Sequence, residues 1–112
     1  MAIGVEVRER TREVVVRGQF APRRDDVVLR LAHAALDDDA RFPLLAGVGP
    51  YLETSFNEWQ CRRLIDELKE LRHALADDDG VAAVDELVRL AQMVVADGPG
   101  QVHHRQLVFV GD

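Results

Sequence analysis

The sequence has few side chains that could act as a thiol or hydroxyl nucleophile. Its 112 residues include one cysteine, one serine, one tyrosine and one tryptophan. The lone cysteine, Cys61, excludes an internal disulfide and a zinc site built from cysteines. No apolar run approaches the roughly 20 residues that span a bilayer, so we expect no membrane partner. No basic and apolar leader opens the chain, which predicts a cytoplasmic protein. The length and a hydrophobic content of 47% favour one folded domain over residues 1–112.

The charge is negative and unevenly distributed. The formal net charge is -6. Residues 1–24 hold six Arg against three Glu, whereas residues 25–112 hold eight basic and seventeen acidic residues. Nucleic-acid binding needs clustered cations, so the acidic remainder predicts no nucleic-acid partner. The N-terminal arginines are interrupted by glutamates, which favours a solvated sheet surface over an anion-binding patch.

The start of the chain predicts two strands. Apolar and polar residues alternate there, and a run of three valines follows a short charged segment. We expect Val5 opposite Val14 and Ile3 opposite Val16, which would turn one apolar face toward the core. Gly18 and Pro22 are expected to end the second strand.

Apolar residues recur at helical spacing in three later segments. Residues 27–36 predict a short helix. Ser55 and Glu58 have the spacing of a capping box, which predicts the start of a longer helix. The acidic segment 77–80 separates that helix from another long one, so the two are expected to pack as an antiparallel hairpin.

The longer helix that begins near Ser55 has an apolar stripe and a charged side. Cys61 lies on the stripe, which predicts a buried and unreactive thiol. The charged side is expected to face solvent and consists of Arg62, Arg63, Asp66, Glu67, Lys69 and Glu70.

Residues 37–54 predict a long irregular loop, because two glycines and two prolines fall within them. The last segment, residues 102–110, predicts a strand that is covered on both faces or lies in the middle of a sheet, since 107–110 are continuously apolar. The order of elements indicates an α+β fold. We expect a three-stranded, mainly antiparallel sheet, with a two-helix hairpin on one face and one short extra helix.

The candidates for catalysis and metal binding each have a structural explanation. Ser55 is assigned to capping rather than to nucleophilic catalysis. His103 and His104 alternate on a predicted strand and would face opposite ways. The aspartate triplets 37–39 and 77–79 lack the ligand spacing of a calcium loop. We therefore expect no catalytic residues, no metal site and no cofactor.

Aromatic residues cluster in one part of the chain. Four of the six, Phe42, Tyr51, Phe56 and Trp59, fall within eighteen residues. We expect Phe42 and Phe56 to pack in the core. Tryptophan, tyrosine and arginine dominate binding hot spots, so the same window predicts a recognition surface. The candidate binding residues are Tyr51, Glu53, Asn57, Trp59, Gln60 and Arg63.

Three segments carry a resemblance to a known group of proteins. They are Arg41-Phe42-Pro43-Leu44-Leu45, the stretch from Tyr51-Leu52-Glu53-Thr54-Ser55-Phe56-Asn57 to Gln60, and the end Phe109-Val110-Gly111-Asp112. The sequence resembles small actinobacterial proteins that share an acidic-Thr-x-Phe-Asn motif leading into a helix and a C-terminal strand ending in Gly-Asp. The resemblance covers residues 41–71 and 105–112, with Glu53 where Asp is expected. It implies an α+β fold and directs attention to the motif, but it implies no reaction.

Three functions are compatible with these patterns. The first is a non-catalytic acidic module that binds another protein, such as an immunity or antitoxin-like neutraliser of a basic toxin. The second is a small-molecule binder or small enzyme, with a pocket between residues 42–54 and the sheet, lined by Tyr51, Trp59 and Arg63. The third is a structural protein that forms a homodimer through an exposed sheet edge.

Overall fold

The computed structural model describes residues 3–10, 13–20, 27–49, 51–95 and 105–111. Within these residues the protein is α+β, as the sequence predicts, but the sheet has four strands rather than three. In chain order the elements are β1 (Gly4–Arg10), β2 (Val14–Phe20), α1 (Val27–Leu36), α2 (Pro43–Ala46), β3 (Glu53–Phe56), α3 (Glu58–Arg72), α4 (Asp78–Val94) and β4 (Arg105–Val110).

The sheet is antiparallel throughout and has the strand order β2-β1-β4-β3. The C-terminal strand β4 therefore lies in mid-sheet, as its apolar run predicts. It pairs with β1, where Val5 lies opposite Phe109 and Val7 opposite Leu107. The strands β2 and β3 form the two edges.

The expected register of the N-terminal hairpin is wrong. Val5 lies opposite Phe20 rather than Val14, and Val14 lies opposite Arg10. The strand β2 continues through Gly18 instead of ending there. A Cβ at Gly18 would lie 2.9 Å from Leu90 Cδ2, so glycine is the residue that lets this strand lie close against α4.

This register leaves the valine run exposed. A β-bulge shifts the pairing between Val7 and Arg8, where β2 has one residue more than β1. The valines at 14–16 all fall in the exposed part of β2. The expectation that Val14 and Val16 complete an apolar core face is therefore contradicted.

The helices α3 and α4 pack against each other and cover one face of the sheet. The helix α1 has the bounds that the sequence predicts and packs on α2 and α4. Asp77 caps α4, because its carboxylate accepts a hydrogen bond from the backbone N–H of Gly80 at 3.2 Å. The largest fully buried side chains include Ile3, Leu64, Leu68, Leu87, Leu90, Leu107 and Phe109.

The segment 37–54 is not the irregular loop that its glycines and prolines predict. It contains α2 and the beginning of β3. Pro43 lies in the first turn of α2, where its missing N–H costs no hydrogen bond. The side chains of Phe42, Leu45 and Val48 are buried in the core, and this burial holds the segment in place.

The face of the sheet opposite the helices is covered by charged side chains. Val108 points to this face, since its neighbours Leu107 and Phe109 point into the core, yet it is only 1% exposed. The Arg8 guanidinium donates hydrogen bonds to Glu6 at 2.9 Å and to Glu53 at 2.7 Å. Arg8 lies beside Gln106 and Glu53 beside Val110, so the second contact crosses β4 at Val108.

Among the described residues, no helix has the length and apolarity needed to cross a membrane.

Candidate functional site

The short strand β3 positions the aromatic window. Among the described residues it pairs only with β4, and the backbone N–H of Gly111 extends the pairing by donating to the carbonyl of Leu52 at 3.0 Å. The ring of Phe56 is buried and packs edge-to-face on Phe109, with centroids 5.7 Å apart. The expected core positions of Phe42 and Phe56 are both confirmed. The buried ring of Phe56 therefore fixes the orientation of this edge strand.

A capping box starts α3 directly after β3, but it is not the one that the sequence predicts. The Asn57 side chain accepts from the backbone N–H of Gln60, and the Gln60 side chain accepts from that of Asn57, both at 2.9 Å. Ser55 is exposed and lies within β3. Asn57 and Gln60 therefore satisfy the helix terminus, which accounts for both side chains without a ligand.

Three large apolar side chains beside β3 are exposed. Tyr51 is 69% exposed and Leu52 61% exposed, directly before the strand. Trp59, three residues after the strand, is 78% exposed. A four-residue strand is about 13 Å long, so these side chains lie at the two ends of a short edge. We name Tyr51, Leu52 and Trp59 together the Tyr–Trp surface.

An ion pair formed by Arg62 and Glu58 lies beside Trp59. The Arg62 guanidinium lies 5.8 Å from the centre of its ring, a cation–π distance. Arg62 also donates to Glu58 at 3.1 Å. The indole therefore lies on an exposed charged helix surface, where its ring face meets a cation of its own chain.

The other two predicted site residues have partners within the chain. Glu53 accepts from Arg8 and belongs to the charged face of the sheet. Arg63 is exposed, with its Nε 3.7 Å from a carboxylate oxygen of Glu67. Of the six candidate residues, Glu53, Asn57, Gln60 and Arg63 make polar contacts within the protein, while Tyr51 and Trp59 are 69% and 78% exposed.

Glu67 is a residue whose role the sequence analysis missed. It is 3% exposed rather than solvated. Its Oε1 accepts hydrogen bonds from the backbone N–H groups of Leu44 at 3.1 Å and Leu45 at 3.2 Å. These groups at the start of α2 have no partner within the helix, so Glu67 joins α2 to α3. Its position three residues after Leu64 and four before Leu71, both on the apolar stripe, is the signal that predicts burial.

Burial changes the ionisation of two groups in α3. It raises the pKa of the Glu67 carboxyl, and the hydrogen bonds from Leu45 and Leu44 offset only part of that effect. Burial also raises the pKa of the Cys61 thiol to about 12. The thiol is 0% exposed, and its Sγ lies 3.7 Å from the carbonyl oxygen of Phe56. The expected burial of Cys61 is confirmed, and a thiol with this pKa is a poor nucleophile at neutral pH.

No metal site is apparent in the described part of the chain, where no three His, Cys, Asp or Glu residues cluster. The predicted strand positions of His103 and His104 lie outside the described residues. An open depression of about 540 Å³ lies on α3 and α4, and its lining consists of Ile65, Arg89, Gln92, Met93 and Val95. It includes none of Tyr51, Trp59 and Arg63, the residues expected to line a small-molecule pocket.

Comparison with known proteins found no match among protein-family models, curated proteins or solved structures. The resemblance to the small actinobacterial proteins stays a prediction.

Proposed function

We propose that this protein is a non-catalytic module that binds another protein through the Tyr–Trp surface. The observation that carries the proposal is the exposure of Tyr51, Leu52 and Trp59 at the two ends of one edge strand. Exposed apolar surface is characteristic of interaction sites, and Tyr51 and Leu52 are adjacent in the chain. Tyrosine and tryptophan are also the residue types that contribute most to hot spots.

The edge strand supports the same proposal. The side of β3 that faces away from β4 has backbone N–H and C=O groups unpaired within the sheet. A partner in extended conformation can add a strand there and place its side chains against the aromatic residues at either end. Exposed apolar rings and free backbone groups therefore occur together at this edge.

The charge indicates the kind of partner. The chain has a formal net charge of -6. An acidic surface accelerates association with a basic partner, and the acceleration falls as salt screens the attraction. We infer a basic protein as the partner and, by analogy of size and charge alone, an immunity or antitoxin-like role in the cytoplasm.

The test is affinity capture with matched variants. The immobilised protein, Trp59→Ala and Tyr51→Ala are compared with Leu36→Ala, which shortens a large side chain 57% exposed at the end of α1. We expect the unmodified protein and Leu36→Ala to retain the same protein. Trp59→Ala should weaken its binding by about 30-fold, as loss of a hot-spot residue does.

The stability of each variant is measured alongside binding. Truncating such exposed side chains should change the free energy of unfolding by no more than about 0.5 kcal/mol, so lost binding would not reflect unfolding. Equal retention of every captured protein by all four chains, or capture of no protein at all, would show that the Tyr–Trp surface is not a binding site.

A further inference from the structure

The edge strand β2 exposes a run of apolar side chains. Val14, Val15 and Val16 are 54%, 36% and 48% exposed. Val16 lies opposite Arg8 and Val15 opposite Glu9, so neighbouring valines point to opposite faces of the sheet. The strand has no described neighbour other than β1, which leaves the backbone groups along its outer side unpaired within the sheet. An exposed apolar edge of this kind is a template for pairing with another strand.

The charges around the valines are arranged symmetrically. Glu13, directly before β2, lies two residues before Val15. Arg17, which has no register partner on β1 because of the bulge, lies two residues after Val15. Both charged side chains are exposed. The Arg17 guanidinium also donates a hydrogen bond to the Glu9 carboxylate at 2.5 Å. This bond holds the guanidinium beside the strand.

This symmetry matters because two copies of one strand can pair only in certain registers. In an antiparallel pair, residues directly opposite each other point to the same face of the sheet. A two-fold axis between identical strands must therefore pass at one residue, which then lies opposite its own copy. An axis at Val15 places Val14 opposite Val16 of the second copy, and Glu13 opposite Arg17 of the second copy.

The neighbouring registers lack this complementarity. An axis at Val16 places Arg17 opposite Val15 and leaves Glu13 without a cation. An axis at Arg17 places two guanidinium groups directly opposite each other, and opposed like charges destabilise a pair of strands. The register centred on Val15 is the one of the three that forms two Glu13–Arg17 pairs and matches apolar residues with apolar residues.

We propose that β2 is the self-association edge of this protein and pairs with β2 of a second copy about a two-fold axis at Val15. The two sheets then join into one of eight strands. The matched segment, residues 13–17, is short, so the dimer is reversible and depends on concentration. The edge is opposite to β3, which leaves the Tyr–Trp surface of both copies free.

Sedimentation equilibrium over a concentration series tests whether this edge associates. We expect a monomer–dimer equilibrium for the unmodified protein. Val15→Lys would place two ammonium groups opposite each other and should weaken association by about tenfold or more. Leu36→Lys, which changes an exposed apolar residue on α1, and Trp59→Ala at the Tyr–Trp surface should leave association unchanged.

Cysteine cross-linking tests the register and does not depend on the lysine variant. Val15→Cys places two thiols directly opposite each other, at a separation that a disulfide can bridge. Val16→Cys places them diagonally, at about 7–8 Å, which is too far for a disulfide without backbone movement. Cys61 is buried, so the unmodified protein should remain uncross-linked and serves as the control.

Under mild oxidation we expect Val15→Cys to form a covalent dimer and Val16→Cys to form no disulfide between copies. A strict monomer at every concentration, an association unaffected by Val15→Lys, or cross-linking of Val16→Cys in preference to Val15→Cys would each overturn the proposal. Binding of a different protein to β2 in place of a second copy would overturn it as well.

Discussion

The two edges of the sheet are held in different ways. The strand β3 has four residues, and its Phe56 ring packs in the core against Phe109. The strand β2 has seven residues that are mostly exposed, and at Gly18 it lies directly against α4. A buried ring lets a short edge carry exposed aromatic residues at its ends. The strand β2 lies against the core only near its end, at Gly18 and Phe20, and its exposed first part, residues 14–17, is more open to pairing.

The largest effect is expected from removing the contact between α2 and α3, the helix that follows β3. Glu67→Ala leaves the backbone N–H groups of Leu44 and Leu45 without an acceptor. An unsatisfied buried N–H destabilises the folded state by about 1–3 kcal/mol. Removal of the buried carboxylate offsets part of this loss, because its desolvation penalty disappears. We expect the free energy of unfolding to fall by about 2 kcal/mol in urea denaturation at pH 7. Asp66→Asn, an exposed change on the same helix, is the control and should stay within about 0.5 kcal/mol.

Equal stability of Glu67→Ala and Asp66→Asn would show that the Glu67 carboxylate does not hold α2 against α3.

A smaller effect is expected where β2 meets α4. Gly18→Val brings a Cβ within 3.0 Å of both Leu90 and Met93, whose flexible side chains can move aside in part. We expect a loss of about 1–2 kcal/mol in the free energy of unfolding. Gly4→Val is the matched control, because a Cβ at Gly4 has no atom within 4 Å.

Equal stability of the two valine variants would contradict the register in which Gly18 faces α4. The hairpin would then be free to adopt the pairing of Val5 with Val14.

The smallest effect is a difference in pH dependence between the two sides. Burial raises the pKa of Glu67, so protonation of this carboxyl adds a pH-dependent stabilisation. That part is complete below the unfolded value of about 4.5 and is lost as pH rises through the folded value, while the hydrogen bonds from Leu44 and Leu45 remain at pH 7. A hydrogen bond from Arg17 lowers the pKa of Glu9. The contribution of Glu9 is therefore present above about 4.5 and is lost as pH falls through the folded value.

Denaturation between pH 3 and pH 8 measures this difference. Relative to the unmodified protein, Glu67→Gln should become more stable as pH rises, whereas Glu9→Gln should become less stable over the same change. Shifts of the same sign in both variants would contradict the assignment of opposite environments to these carboxyls.

Much of the fold follows from local patterns in the sequence. The bounds of α1, the α3–α4 pair and the mid-sheet position of β4 all follow from apolar spacing, since each element has a long apolar stripe or run. The burial of Phe42, Phe56 and Cys61 follows from the same reasoning.

The parts that sequence reasoning missed depend on contacts between distant residues. The hairpin register is set where Gly18 meets α4, and no glycine or asparagine in the turn marks it. The helix α2 is stabilised by Glu67, more than 20 residues away along the chain. The strand β3 is short and polar, so its alternation is weak.

Two overlapping patterns can start α3, and the predicted one, Ser55 with Glu58, is wrong. Ser55 with Glu58 and Asn57 with Gln60 both have capping-box spacing, and they are offset by two residues. The residue between the two caps, Phe56, decides between them, because its ring must remain in the strand to reach the core. For the Tyr–Trp surface, the sequence predicts Tyr51 and Trp59 as binding residues from their side-chain type. Their exposure to solvent depends on the three-dimensional packing and is seen only in the structure.

The contact between Arg8 and Glu53 bears on how this sheet is shielded from water. A valine at the middle of a sheet face without a helical layer would ordinarily be hydrated. Val108 is nevertheless only 1% exposed, on the face where the Arg8–Glu53 ion pair crosses its strand. Among the described residues, charged side chains shield this face, and the helices that contact the strands, α3 and α4, pack on the other.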